Sequence, residues 1–151
     1  MKTQLDTFVV RSSQKQEMID ITPDMIKAAR DAGIRDGFIG VFSQHTTAAL
    51  LVNEFQSALL SDIADFLKRV IEDDLPYKHN SPEWSDCDRS NATSHLRSLL
   101  FSNSVMLPIV DGKPVLGQYQ RVILAELDGP RERTLKLHFL GYDLDRSALS
   151  R

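Results

Sequence analysis

Apolar positions along the chain alternate between a period of two and a helical period, and the switches mark out its elements. Residues 5–10 and 17–21 are short runs rich in β-branched and apolar side chains, separated by Ser12-Ser13-Gln14-Lys15, which predicts two strands joined as a hairpin or meander. Thr22-Pro23-Asp24 then offers an N-cap, a proline at the first helical position and an acid in the first turn, while Gly33 supplies a stop, so a helix is expected over residues 22–32. Residues 37–42 and 48–52 are apolar runs of strand length on either side of Ser43-Gln44-His45-Thr46-Thr47, which puts His45 at or near the junction of two strands. Residues 57–71 carry Leu59, Leu60, Ile63, Phe66, Leu67, Val70 and Ile71 at helical spacing, with Asp62, Asp65, Lys68 and Arg69 on the other side, and predict an amphipathic helix.

From 72 to 90 the chain is polar and broken by Pro76 and Pro82, the pattern of a long ordered loop or lid, and His79 lies in it. Asn91 is an N-cap candidate for a helix running through Leu96, Leu99 and Leu100 to about Ser102, with His95 on its first turns. Residues 105–110 read as a strand, Asp111-Gly112 as a hairpin turn, and Val115-Leu116 as the start of the return. Residues 120–127 and 134–140 are expected to form a final strand pair around Asp128-Gly129-Pro130-Arg131; in the last of them Leu135, Leu137 and Phe139 alternate with Lys136 and His138, giving one apolar and one wet face. About three helices among several strands make an α+β chain, and 151 residues suit one domain, assigned to 1–146 with a frayed tail at 147–151.

Composition narrows the function classes. Hydrophobic residues make up 42% and charged residues 26% of the chain, the range of globular proteins. A net charge of −3 and a pI near 5.8 lack the basic footprint of nucleic-acid binding, so no nucleic-acid partner is expected. No secretory signal pattern opens the chain and no apolar run reaches the roughly 18–20 residues that span a bilayer, so no membrane partner is expected and the cytoplasm is the expected compartment. The single cysteine, Cys87, cannot close an internal disulfide, and its acidic neighbours Asp86 and Asp88 disfavour a reactive thiolate.

Of the four histidines, His45, His79 and His95 lie among polar and small residues at element ends or in a loop, where a cleft can reach them. Imidazole is a common ligand of divalent transition metals, zinc among them, and three protein ligands leave a coordination position open, so this trio is the metal candidate. Its spacing matches no local zinc motif, and three ordinary hydrogen-bonding histidines are the competing reading. His138 is set aside with Lys136 on the wet face of its strand. Glu54 follows Asn53 at a strand end and is a candidate general base or a partner to a ligating histidine, or simply a solvated glutamate. Arg131 and Arg133 follow a turn, where guanidinium forks suit phosphate or carboxylate recognition, or solvate a hairpin. Thr46 and Thr47 could hydrogen-bond a ligand.

The ordered set Gln44-His45-Thr46-Thr47-Ala48 with Asn53-Glu54, Tyr77-Lys78-His79, Asn91-Ala92-x-x-His95-Leu96, Pro108-x-x-Asp111-Gly112-Lys113, Leu116-Gly117-x-Tyr119-Gln120 and Asp128-Gly129-Pro130-Arg131-x-Arg133 resembles the YjbQ, or UPF0047, family over most of the chain. Some members are described as secondary thiamine-phosphate synthases. The resemblance implies a mixed α/β sandwich assembled as a homotrimer, with the histidines near a metal and ligand site. It adds Asn91, Tyr119, Gln120 and Arg133 to Thr46 and Thr47 as substrate-binding candidates, and pairs Arg131 with Glu54 as catalytic candidates. The implied activity joins a pyrimidine diphosphate to a thiazole phosphate with release of pyrophosphate; the alternative is a trimeric module that binds a small phosphorylated or carboxylated ligand without turning it over. The chain departs from the family pattern at Gly117-Gln118-Tyr119-Gln120, where relatives usually carry tryptophan in place of Tyr119, and at Phe55-Gln56-Ser57 after Asn53-Glu54.

Overall fold

A computed structural model of the chain describes residues 1–143; the tail expected at 147–151 lies outside the described residues. Two antiparallel sheets enclose a common core. The larger has the order β1 (Lys2–Arg11), β8 (Glu132–Tyr142), β3 (Asp36–Ser43), β5 (Ser104–Val110) and β6 (Lys113–Pro114); the smaller has the order β2 (Glu17–Asp20), β7 (Arg121–Glu126) and β4 (Ala48–Asn53). Val10, Ile39, Val41, Leu135, Leu137 and Phe139 of the first sheet meet Ala48, Leu50, Val122 and Leu124 of the second in this core, which α1 (Thr22–Ala32) closes with Met25, Ala29 and Ala32. The opposite face of the small sheet is covered by α2 (Ser57–Val70), whose Leu67 and Ile63 pack on Ala125 and Leu127. Strand β7 is therefore buried on both faces, which is why it reads as an unbroken apolar run rather than an alternating one.

Two of the expected pairings are replaced by others. β1 and β2 form no hairpin: β1 runs along β8 from Lys2↔Gly141 to Arg11↔Glu132, and β2 runs along β7. β7 and β8 likewise lie in different sheets. The intervening segments are crossovers, held to one another instead of closing tight turns: Ser12 N–H donates to the Arg131 carbonyl at 2.9 Å, Gly129 N–H to the Lys15 carbonyl at 2.9 Å, and Leu127 N–H to the Thr47 carbonyl at 3.2 Å. Segments 12–16, 44–47 and 127–131 thus gather at one end of the sandwich, because Arg11, Ser43 and Glu132 on the large sheet and Glu17, Ala48 and Glu126 on the small one all end there.

Helix ends shift by small amounts for identifiable reasons. The α1 N-cap is Ile21 rather than Thr22, since the Thr22 hydroxyl instead accepts the Val122 N–H at 2.8 Å; Gly33 caps the other end in the left-handed conformation, φ 65°. The helix α3 (Ala92–Ser98) stops short of Leu99 and Leu100, both exposed. The Asp111-Gly112 turn has φ of 50° and 76°, positive at both central residues as a two-residue hairpin loop requires, and its return is the short β6. Among the described residues, no helix is long and apolar enough to cross a membrane.

Candidate functional site

The crossover end is organised around a buried ion pair. Glu126, at the end of β7, is 0% exposed and Arg133, on β8, is 3% exposed. Arg133 Nε donates to Glu126 Oε2 at 2.7 Å and Nη2 to Oε1 at 2.5 Å, and Nη2 also reaches Thr47 Oγ1 at 3.0 Å. The Ser12 hydroxyl at 3.0 Å and the Asp128 N–H at 2.8 Å complete the carboxylate's partners. Burial pushes the Glu126 carboxyl up, but the hydrogen bond from Arg133, the Asp128 N–H, the guanidinium charge and Ser12 together outweigh it and hold the group below its usual range. One side chain from each sheet and one from each crossover are locked together here, so Arg133 and Thr47, expected to bind substrate, are instead framework: both are buried and fully engaged.

Above this frame lie the imidazoles. His45 is half-buried on the 44–47 crossover, and its Nε2 accepts the Thr134 N–H at 3.0 Å. His79, on the short 3₁₀ turn Lys78–Asn80, stands edge-on to His95 of α3 with ring centroids 4.9 Å apart and planes at 86°. Asn80 Oδ1 accepts the Ala92 N–H at 2.9 Å, tying that turn to the start of α3, and Ser94 Oγ donates to the Leu127 carbonyl at 2.6 Å, seating α3 on the third crossover. Burial and the charge of His79 lower the His95 pKa, with Asp128 pulling the other way; burial and the Arg133 charge lower that of His45.

Asp128 is the hub that sequence reading treated only as a turn residue. Its Oδ2 accepts Asn91 Nδ2 at 2.9 Å and Arg131 Nη2 at 2.6 Å, and its carbonyl accepts Arg131 Nε at 2.7 Å. Asn91 is 5% exposed, so it positions Asp128 rather than presenting an amide to a ligand. Two openings flank the group. A cleft of about 590 Å³ is lined by His45, Thr46, His95, Ser98, Leu99 and Phe101. A shallower recess of about 430 Å³ is walled by Arg89, Asp128, Gly129, Pro130 and Arg131. Imidazoles, a carboxylate and two guanidinium groups at one rim can move protons and neutralise an anionic ligand.

The remaining candidates lie elsewhere. Asn53 pairs with Arg121 at the far end of β4, roughly 17 Å from Ala48 at about 3.4 Å per residue, so Glu54 cannot serve as a base to these imidazoles within one chain. Tyr119, 66% exposed, and Gln120 belong to a turn at that same far end, closed by Gln120 N–H to the Gly117 carbonyl at 3.0 Å. The three-histidine metal set is only partly assembled: His79 and His95 are neighbours, His45 commits Nε2 to the backbone, and among the described residues no group of three or more His, Cys, Asp or Glu side chains could hold a metal ion. Three imidazoles in this arrangement therefore do not fit a closed metal centre.

Glu126, Asp128 and Arg89 were missed in the sequence. A signal existed for the first: Arg133 shares the parity of Leu135, Leu137 and Phe139, so its strand points it into the core, where a guanidinium needs a buried carboxylate.

A two-sheet α+β domain with polar crossovers collected at one end defines the class of protein. A family model described as UPF0047 protein YjbQ-like matches residues 6–142, and the chain belongs to the YjbQ/UPF0047 family. It is 38% identical over 141 residues to a UPF0047 protein of Methanothermobacter thermautotrophicus, covering 93% of this chain and 94% of that one. It is 27% identical over 137 residues to the UPF0047 protein YugU of Bacillus subtilis, covering 91% and 99%. The crystal structure of a YbjQ-like protein of unknown function from Sulfolobus solfataricus superposes with a TM-score of 0.85 at 32% identity, covering 93% of this chain and 99% of that one. A YjbQ/UPF0047 protein of Clostridium acetobutylicum gives 0.80 at 29%, covering 89% and 99%.

Proposed function

We propose that the chain is an enzyme acting on a small phosphorylated substrate, with thiamine-phosphate-synthase chemistry, expected from the family resemblance, as the reaction to assay. In that reaction the thiazole ring nitrogen attacks the methylene carbon of the pyrimidine diphosphate, and the carbon–oxygen bond to pyrophosphate breaks. The observation that carries the reading is the convergence of the His79–His95 pair with Asp128 and Arg131 at one rim. Arg131 and Arg89 supply positive charge to a departing pyrophosphate, and the imidazole pair supplies proton-transfer groups. A divalent transition metal such as zinc, if the enzyme uses one, would find His79 and His95 as its protein ligands, and none of the roles given to the side chains here depends on it. The test is pyrophosphate release by purified protein, with His95→Ala as the control.

One observation favours a second reading, a binding module without turnover: Glu54, the candidate base, sits at the opposite end of β4 from the imidazoles. For either reading we propose a cytoplasmic homotrimer, and the outer face of the large sheet, with Leu5, Phe38, Phe42, Met106 and Leu140 exposed, is the surface on which its copies meet.

A further inference from the structure

The hydrogen bond at His45 determines which of its nitrogens a ligand meets. Ser43↔Leu135 is the last pair of the β3–β8 ladder, and one residue further along β8 the Thr134 N–H has lost its strand partner. The His45 ring takes that place: Nε2 accepts the Thr134 N–H at 3.0 Å. An imidazole nitrogen that accepts a hydrogen bond carries a lone pair and no proton, so in the neutral ring the proton resides on Nδ1. The charged ring would set a second N–H against that of Thr134, and burial together with the neighbouring Arg133 charge opposes it. Turning the ring away would leave a backbone N–H without a partner. His45 lines the 590 Å³ cleft, and its Nδ1 makes no hydrogen bond among the described residues.

We propose that His45 serves as a neutral hydrogen-bond donor, through Nδ1–H, to an anionic oxygen of a phosphoryl group bound in the cleft, and is neither a metal ligand nor a base. This rests on reading the cleft as a site for a small phosphorylated ligand. A nitrogen that bears its proton has no lone pair to give a metal or to accept a substrate proton; what it offers is a fixed donor, and an oxyanion is the group that uses one. The cleft's other polar side chains include Thr46 and Ser98, whose Ser98 hydroxyl already donates to the Thr46 and His95 carbonyls, so His45 is its preorganised donor.

The experiment is ¹⁵N NMR of the histidine side chains in the full chain, with His45 assigned by its absence from His45→Asn, read free, with inorganic phosphate and with zinc. The free protein is expected to show a protonated Nδ1 and an unprotonated Nε2 at His45. Phosphate should shift the Nδ1–H signal, and zinc should leave the His45 proton in place. Phosphate affinity should fall on the order of 10- to 100-fold in His45→Ala, the usual size of a lost hydrogen bond to a charged group, and by less in His45→Asn, whose amide can donate from near the Nδ1 position. A protonated Nε2, loss of the proton on adding zinc, or phosphate affinity unchanged in His45→Ala overturns the role of His45 alone. Failure of the wild type to bind phosphate overturns the ligand reading of the cleft, and this role with it, whatever tautomer the ring shows. Since the tautomer is read on the wild-type protein, a variant that fails to fold does not blunt the test.

Discussion

Glu126 on β7 and Arg133 on β8 belong to different sheets and are joined by hydrogen bonds of 2.7 and 2.5 Å in a fully buried setting. The pair holds all three crossovers through Ser12, Thr47 and Asp128, so the frame of the site and the closure of the sandwich are one structure.

Breaking this pair from one side should therefore be costly. Arg133→Met or Glu126→Gln is expected to lower stability by about 3–5 kcal/mol, the usual cost of leaving a buried charge without its partner. Urea unfolding of both variants checks it, and a loss below about 1 kcal/mol would mean that the ends of the sandwich are held by packing alone.

The same carboxylate fixes a pH dependence. Glu126 faces Arg133 on β8, Asp128 and Ser12 on two crossovers, and the ring of His45 on the third. Its folded pKa is depressed from an ordinary 4.5, so the unfolded chain binds the proton first as pH falls. Its stabilising contribution is present above that ordinary value and is lost as pH drops through the folded pKa. Unfolding midpoints measured at successive pH values should fall more steeply on the acid side in the wild type than in Glu126→Gln.

At the rim, Arg131→Ala and Arg89→Ala remove charge without opening the core. Each is expected to weaken pyrophosphate binding on the order of tenfold while shifting stability by less than about 1 kcal/mol, because the Arg131–Asp128 bridge is partly solvent-exposed. Calorimetric titration against both variants separates this from a folding defect.

Glu54→Gln should leave ligand affinity and turnover within about twofold of wild type, since Glu54 is roughly 17 Å from the imidazole end. A large fall in turnover would show that a second copy of the chain brings its Glu54 to this site.

Assembly has its own test. Phe42→Lys or Met106→Lys, placed on the exposed face of the large sheet, should convert the proposed trimer to monomer in light-scattering mass measurements, with the fold retained by circular dichroism. An unchanged mass would remove this face as the contact.

Much of the fold was legible because α2 and β8 bury one face each, and burial writes its period into the sequence. Strand partners were not legible: alternation states which face a residue takes but not which strand lies beside it, and Arg11 meets Glu132 across 121 positions. At the site, the histidine motifs marked the right segments, but the nearness of His79 to His95 depends on the path of the 72–90 loop, held by Asn80 on the Ala92 N–H, for which no local pattern exists. Asp128 was hidden by its neighbours, because Asp-Gly-Pro reads as turn chemistry whether or not the carboxylate also binds an arginine.

The most direct test of the central claim is pyrophosphate release from a pyrimidine diphosphate and a thiazole phosphate, measured for wild type, His95→Ala, Arg131→Ala and Glu54→Gln. Turnover in the wild type and Glu54→Gln, lost in His95→Ala and Arg131→Ala, is the result the crossover-end site predicts. No turnover in the wild type, with phosphate still bound, would contradict the enzyme reading and leave a binding module in its place.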